Sequence, residues 1–377
     1  LQMAPEEEKD TALEDAHQVE KNALGGELAV SFQGISVAFL IGFAEEHNTE
    51  LNYLSTDAVV ERVIKPSSKR LDVVGPSRKG RAFIETVHEQ WKGKPSYFLS
   101  HAWRQTFHVR HEDCPWRGGA VQALQDLVVC DTCATTGQHD RACEECRLKR
   151  EKTFVWFDIF CVNQHLKSPY GGLQAFAFEP LRNAIVEAHE GLAMFLETWD
   201  DPATLSRVWC LEELRVAMLF GKQVQICMPR NAMLSFRKRA EDNPTALLKA
   251  IDTVVERISI EHASATFESD REQVFGNIKA SVGSKNMNKF CQVVMRKALM
   301  DAAFPDGLPT DDESFVRQQE ERSREEETKR DEVYEGMLAE ADSFNTAQRI
   351  RIRRAVALMR LRVDKEDSRA LRELREV

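Results

Sequence analysis

The sequence predicts an α/β protein built on a parallel sheet, with a small metal knuckle inserted into it and helical extensions at both ends. Three observations carry this. Short apolar runs alternate with amphipathic stretches of 10 to 15 residues between Ser96 and Met228, the pattern of a parallel sheet covered on both faces. Two CxxC pairs interrupt that alternation. The chain is polar and charged before residue 26 and highly charged after residue 311.

In chain order, residues 1–25 ("APEEEKDTALEDAHQVEKN" among them) read as a flexible tail, and 26–94 as a lead-in segment rather than a second core. Its apolar stretch Leu28–Phe43 is shorter than the roughly 20 residues a membrane helix needs and carries Gln33, so a buried helix or strand is expected. Ser55 is expected to cap a short helix that Pro66 ends. Ser96–Trp103 reads as a strand and Gly118–Val129 as an amphipathic helix. Thr153–Val162 ("TFVWFDIFCV") reads as one buried strand, because it is nearly all apolar, aromatic or β-branched. Glu179–Gly191 reads as a helix with Pro180 early and Gly191 at its end. Leu192–Trp199 is a strand, Leu205–Gly221 a helix closed by Gly221, and Lys222–Met228 a strand. Beyond residue 233 the pattern is mainly helical, with a possible last strand at Glu256–Ala263. The charged run 318–332 reads as a solvated helix or coil. Ile352, Val356, Met359 and Val363 recur at helical spacing among six arginines; the stripe packs on this protein or a partner, or the helix is of calmodulin-binding or membrane-surface type.

The net charge of −10 over 377 residues argues against a general nucleic-acid binder. The nine cysteines are not spaced as a secreted disulfide scaffold, and a reducing, cytoplasmic compartment fits them best. No membrane span is expected. No GxGxxG or P-loop pattern supports a Rossmann or NTPase reading. Cys130, Cys133, Cys143 and Cys146 have the spacing of a tetrahedral zinc site, in an insertion (128–148) too small and polar to form its own core. Disulfides or free thiols are the alternatives, and His139 could replace one cysteine. With four thiolates the site is closed, which makes the zinc structural. A second site from His108, His111 and Cys114 is a weaker option.

Ligands in such sheets bind at the carboxyl ends of the strands, which puts "SHAW", "FCVNQH" and "ETWDD" on one rim. Ser100 and His101 are strand neighbours facing opposite sides, so they cannot form a nucleophile–base pair. Asp158, mid-strand, is expected to cap or pair with a basic group or to meet a ligand. Asn163, Gln164 and His165 open the next loop.

These motifs resemble those of Toll/interleukin receptor-like (TIR) domains. "YFLSHAW" is similar to the first TIR strand, "LRNAI" to an intervening helix, and "WCLEEL" followed by "RVAMLFGKQVQI" to the TIR W-C-L-x-E-L helix and the strand after it. "VWFDIFCVNQ" also resembles heterokaryon-incompatibility domains, and the whole set looks like a divergent algal or protist group. The resemblance covers about residues 95–300, within an α/β domain expected over 95–304 that leaves 305–377 as a charged helical extension. It implies a flavodoxin-like sheet and either of two functions. One is hydrolysis of NAD to nicotinamide and ADP-ribose or a cyclic product. The other is non-enzymatic scaffolding by self-association and by binding other proteins, here through the zinc knuckle or the C-terminal helices. In the hydrolases a W-x-x-x-E glutamate is catalytic, which selects Glu213 with Trp209 and leaves Glu212 as a solvated charge. Ser100, His101, Trp103, Asp158, Asn163 and Trp209 are then the residues expected to contact NAD. On a helical wheel Val208, Leu211, Leu214 and Met218 form the apolar stripe, with Trp209 and Glu213 roughly opposite.

Overall fold

The computed structural model describes residues 30–69, 80–111, 114–130, 132–133, 143–165, 178–305, 307 and 313–341, and residues 350, 352–353, 356–357 and 360. The tail 1–25 and most of 342–377 lie outside the described residues. The strands are β1 (Gly34–Ser36), β2 (Lys92–Gly93), β3 (Tyr97–Ser100), β4 (Val109–His111), β5 (Cys114–Gly118), β6 (Phe154–Trp156), β7 (Gly191–Phe195) and β8 (Val224–Cys227). The main helices are α1 (Val37–Glu46), α2 (Gly119–Leu127), α3 (Glu144–Lys152), α4 (Phe178–Glu187), α5 (Val208–Leu219), α6 (Arg230–Asp242), α7 (Pro244–Glu256), α8 (Glu268–Lys279), α9 (Ser284–Ala303) and α10 (Glu313–Ala341).

Six strands form one sheet in the order β2-β1-β6-β3-β7-β8, and β4 pairs with β5 separately. β3, β6, β7 and β8 are mutually parallel; Phe98 lies opposite both Trp156 and Leu192, and Met194 opposite Ile226. The parallel strands therefore stand in the order second, first, third, fourth. β7 is buried along its whole length, as expected of a strand covered on both faces. It opens at Gly191, where φ is +109° and a Cβ would lie 2.3 Å from the Gln223 carbonyl oxygen, so only glycine fits there. The glycine does not end the preceding helix, as its place in the sequence suggests; α4 already stops at Glu187.

The lead-in segment joins this core. β1 pairs antiparallel with β6 and β2, and Ile35, Leu40, Phe43 and Ile64 belong to the same apolar cluster as the parallel strands. Phe43 meets Phe83, Phe107 and Phe160 edge-on. Strands of two and three residues leave no readable alternation, so this antiparallel edge has no signature in the sequence. Ser55 bonds the Asp57 carboxylate rather than capping the helix. Pro66 does not end the segment either. It sits in a helical turn, Lys65–Ser68, that follows a wide π-turn at Val60–Ile64. Proline lacks the N–H that would continue the regular ladder, and the wide turn precedes it directly.

Two strand expectations change. Thr153–Val162 is strand only over Phe154–Trp156, and the chain then turns helical at Asp158–Cys161. Asp158 is disfavoured in strands and suited to the first turn of a helix, so the break falls where the acidic residue stands. At Glu256–Ala263, Ile258 and Ile260 are buried, but the segment forms a 3-10 turn at Ile260–His262. The Ile260 N–H donates to the Asn288 side chain, 2.8 Å away, rather than to a strand.

At the C-terminal end, α10 packs on α9 with Val333, Tyr334 and Met337 buried. Ile352 and Val356 join the same core, while Met359 and Val363 lie outside the described residues. Arg360 bonds Glu335 at 2.7 Å and lies over the Tyr334 ring. The described part of the stripe thus packs on this chain. No helix among the described residues is long and apolar enough to cross a membrane.

Candidate functional site

At the carboxyl ends of β3 and β6 the chain brings together Ser100, His101, Trp103, Asp158, Cys210 and Glu213. β3 ends at Ser100, whose hydroxyl donates to Glu213 Oε2 at 2.5 Å. His101, the next residue, turns its ring edge-on to Phe157 and brings Nε2 to 3.7 Å from Asp158 Oδ1. Ser100 and His101 thus engage different partners, as expected of strand neighbours. The Trp103 indole N–H donates to Asp158 Oδ2 at 2.7 Å, and the Gln164 amide donates to the Asp158 carbonyl at 3.0 Å. Cys210, on α5, donates its thiol to the His101 carbonyl at 3.3 Å.

Burial governs the protonation of this cluster. Desolvation pushes the Glu213 carboxyl well above the usual carboxylate range; the Ser100 hydrogen bond opposes it, and the charges of Asp158 and Glu212 add to it. Burial therefore favours the neutral form of Glu213. Burial lowers the His101 imidazole, with Asp158 and the Leu99 carbonyl pulling the other way, and raises the Cys210 thiol far out of the nucleophilic range.

The rest of α5 departs from the wheel reading. Val208, Cys210, Leu211, Leu214, Val216, Ala217 and Met218 are buried, so the helix is enclosed nearly all round and has no single apolar stripe. Glu212 is not a solvated charge; it is 2% exposed and held by a bidentate ion pair with Arg215, at 2.6 and 2.7 Å. Trp209 is anchored at its indole edge. Its indole N–H donates to Asp270 on α8 at 3.1 Å. Asn163 also lies apart from these contacts: it is buried, its amide donates to the Gly80 carbonyl at 2.8 Å, and its side-chain oxygen accepts from the His165 N–H. It ties the lead-in segment to the loop after β6.

Gln105, which no sequence pattern singles out, fastens the loop after β3 to the end of β7. Its side-chain oxygen accepts from the Ala102 N–H at 2.7 Å and its amide donates to the Phe195 carbonyl at 3.2 Å. The Thr204 hydroxyl donates to that same carbonyl at 2.6 Å. A lone glutamine in a loop carries no signal of such a role. Gln105→Ala is expected to cost about 2 kcal/mol of stability, since it leaves the Ala102 N–H without its acceptor. Thermal or denaturant unfolding of the variant reads this, and an unchanged midpoint would show the fastening to be dispensable.

The second constellation is the cysteine knuckle. The Sγ atoms of Cys130, Cys133, Cys143 and Cys146 all lie within 4.8 Å of one another, close enough to hold a metal ion. Cys130 and Cys143 Sγ are 3.7 Å apart, and four thiolates about 2.3 Å from one ion stand about 3.8 Å apart. Backbone N–H groups point at the sulfurs: Cys130 N–H at Cys146 Sγ (3.2 Å) and Cys133 N–H at Cys130 Sγ (3.4 Å). The Cys146 N–H leads the interactions that draw the Cys143 thiol down to about 7. The four cysteines, with Val129, form a cluster separate from the main core. α3, which starts beside Cys143, sends Lys149 to the Val129 carbonyl (2.7 Å) and Arg150 to the Gln125 carbonyl (3.4 Å). These cations satisfy the carbonyl end of α2. His139 lies outside the described residues. So do the side chains of His111 and Cys114, and only His108 of that upstream group is described, as buried.

Comparison with protein-family models, with curated proteins and with solved structures gives no match to this chain.

Proposed function

We propose that this chain is a TIR-like signalling protein with a flavodoxin-like sheet, and that the cluster around Glu213 hydrolyses NAD at the nicotinamide–ribose bond. The product is ADP-ribose or a cyclic variant. One observation carries the reading: the hydroxyl that ends the first parallel strand bonds the carboxyl of the W-x-x-x-E helix. The strand order second, first, third, fourth supports the flavodoxin-like assignment, and ligands of such sheets bind outside the carboxyl ends of the strands. Cleavage of a nicotinamide–ribose bond builds positive charge on the ribose, which a carboxylate stabilises. Burial favours the neutral form of Glu213, and a cationic substrate beside it favours the ionised form. The substrate would thus recruit the charge that the reaction needs.

A second reading is a non-enzymatic scaffold that self-associates and binds partner proteins through the knuckle or the charged C-terminal helices. What favours it is that Trp209 is engaged with Asp270 and that burial disfavours the ionised form of Glu213. In both readings the four cysteines hold structural zinc and the chain works in the reducing cytoplasm. Nicotinamide release from NAD by concentrated protein, compared with Glu213→Ala, separates the two. Release that vanishes in the variant supports the hydrolase. No release from either, with both folded and zinc-loaded, leaves the scaffold.

A further inference from the structure

The four knuckle sulfurs gather within 4.8 Å of one another, but the four cysteines are not equivalent. Cys130, Cys133 and Cys146 are buried, and Cys143 alone of the four is only half-buried. Its Sγ stands 3.7 Å from Cys130 Sγ, 13 positions back in the chain. Cys130 belongs to the other CxxC pair, so this contact crosses from one half of the knuckle to the other. Within its own pair, Cys146 is fully buried and its Sγ receives the Cys130 N–H at 3.2 Å.

The crossing decides what a bond between sulfurs would do. Cys130 follows α2, and Cys143 is the residue from which α3 starts. A Cys130–Cys143 bond ties the end of one helix to the beginning of the next, as a shared metal ion does. A bond inside either CxxC pair closes a very short loop and ties neither helix to the other. A cross-link also constrains the chain more the longer the loop it closes.

We infer that Cys143 and Cys130 form a redox-convertible staple: a hydroperoxide oxidises the half-buried Cys143, Cys130 resolves it to a disulfide, and the metal leaves while the two helices stay tied. The release of metal rests on the zinc reading proposed above; the pairing of the two sulfurs does not. Hydrogen peroxide is small enough to reach a half-buried sulfur that is shielded from larger reagents. A thiol that coordinates a metal is held as the thiolate, the nucleophilic form. The Cys143 thiolate attacks one peroxide oxygen, the O–O bond breaks and hydroxide leaves, which makes Cys143 a sulfenic acid. The Cys130 thiolate then attacks the Cys143 sulfur. The S–S bond forms, the S–O bond breaks and a second hydroxide leaves. The two sulfurs together give up the two electrons that the peroxide takes. Cys133 and Cys146 remain as ligands, too few to close a tetrahedral site, so the ion departs.

Oxidation of the whole, zinc-loaded chain with one equivalent of hydrogen peroxide tests this without any substitution. Elemental analysis after desalting reads the zinc that remains, and mass spectrometry of unreduced peptides locates the disulfide. The expected result is one zinc lost per disulfide formed and a cross-linked peptide that joins Cys130 to Cys143. The oxidised chain should also melt several degrees above the chain stripped of metal under reducing conditions, because its helices remain tied. A bond inside either CxxC pair, a Cys143 thiol left intact after the peroxide is consumed, or an oxidised chain that melts as low as the stripped one would each overturn the staple. A chain purified without zinc that still forms the Cys130–Cys143 bond would remove the metal reading and leave the staple. Zinc lost with the bond inside one pair would do the reverse.

Discussion

Glu213→Gln is expected to stabilise the chain at pH 8 and to abolish NAD turnover. The Glu213 carboxyl is buried, and desolvation holds it well above its ordinary range despite the Ser100 hydrogen bond. A carboxyl raised in the folded state contributes its full stability below the unfolded pKa. That contribution is lost as pH rises from there towards the folded value, because the unfolded chain ionises and the folded one resists. Within that window the loss is about 1.4 kcal/mol per pH unit. Glutamine keeps the neutral shape and an oxygen for Ser100, and it never ionises. The advantage of the variant should therefore be near zero at pH 4.5 and grow as pH rises from there towards the folded value. Parallel denaturant titrations of the two proteins at pH 5, 6, 7 and 8 measure it. A variant equally stable at every pH would show that Glu213 is not held protonated. Turnover that falls while stability rises is the mark of a site kept at a cost to the fold.

The same helix shows where the sequence can be read and where it cannot. β3, β7 and β8 are legible because each is a compact apolar run, and in β3 and β7 burial on both faces demands that composition. The pairing of Ser100 with Glu213 spans 113 positions and has no local signature; a family resemblance points to the glutamate, and nothing points to its partner. Glu212 escapes the helical wheel because a wheel assumes one wet face, whereas α5 is packed by α4 and α8 as well as by the sheet. Its cue is present in the sequence: Arg215 stands three residues on, within reach on the same helix face. Asp158 is likewise a signal for the end of β6, since a carboxylate is disfavoured in a strand, but nine apolar or β-branched neighbours in Thr153–Val162 outweigh it when the run is judged by composition. The meeting of His101 with Asp158 is beyond the sequence, because it joins residues 57 positions apart.

Removal of the metal is expected to have the largest effect of all. Cys130 and Cys133 lie just beyond α2, and Cys143 and Cys146 lie at the start of α3, so one ion would close the end of one helix onto the beginning of the next. Among the described residues, the insertion contributes only cysteines and Val129 to its own cluster, too little apolar surface to order it alone. Folding energy there must come from coordination, which for a structural zinc amounts to about 10 kcal/mol at neutral pH. The effect does not stay local. Without an ordered α3, Lys149 and Arg150 no longer meet the Val129 and Gln125 carbonyls, and α2, whose Ala120, Val121 and Leu124 are part of the main core, loses the partners of its last turn. Protein purified under reducing conditions should contain one zinc per chain by elemental analysis. Cys146→Ser should lose it, unfold at least ~3 kcal/mol more easily and expose the remaining knuckle thiols to a thiol reagent. Alkylation of the native protein should label the knuckle cysteines only after chelation. A metal-free chain that melts at the same temperature as the zinc-loaded one, with those thiols still protected, would assign the cluster to packing alone.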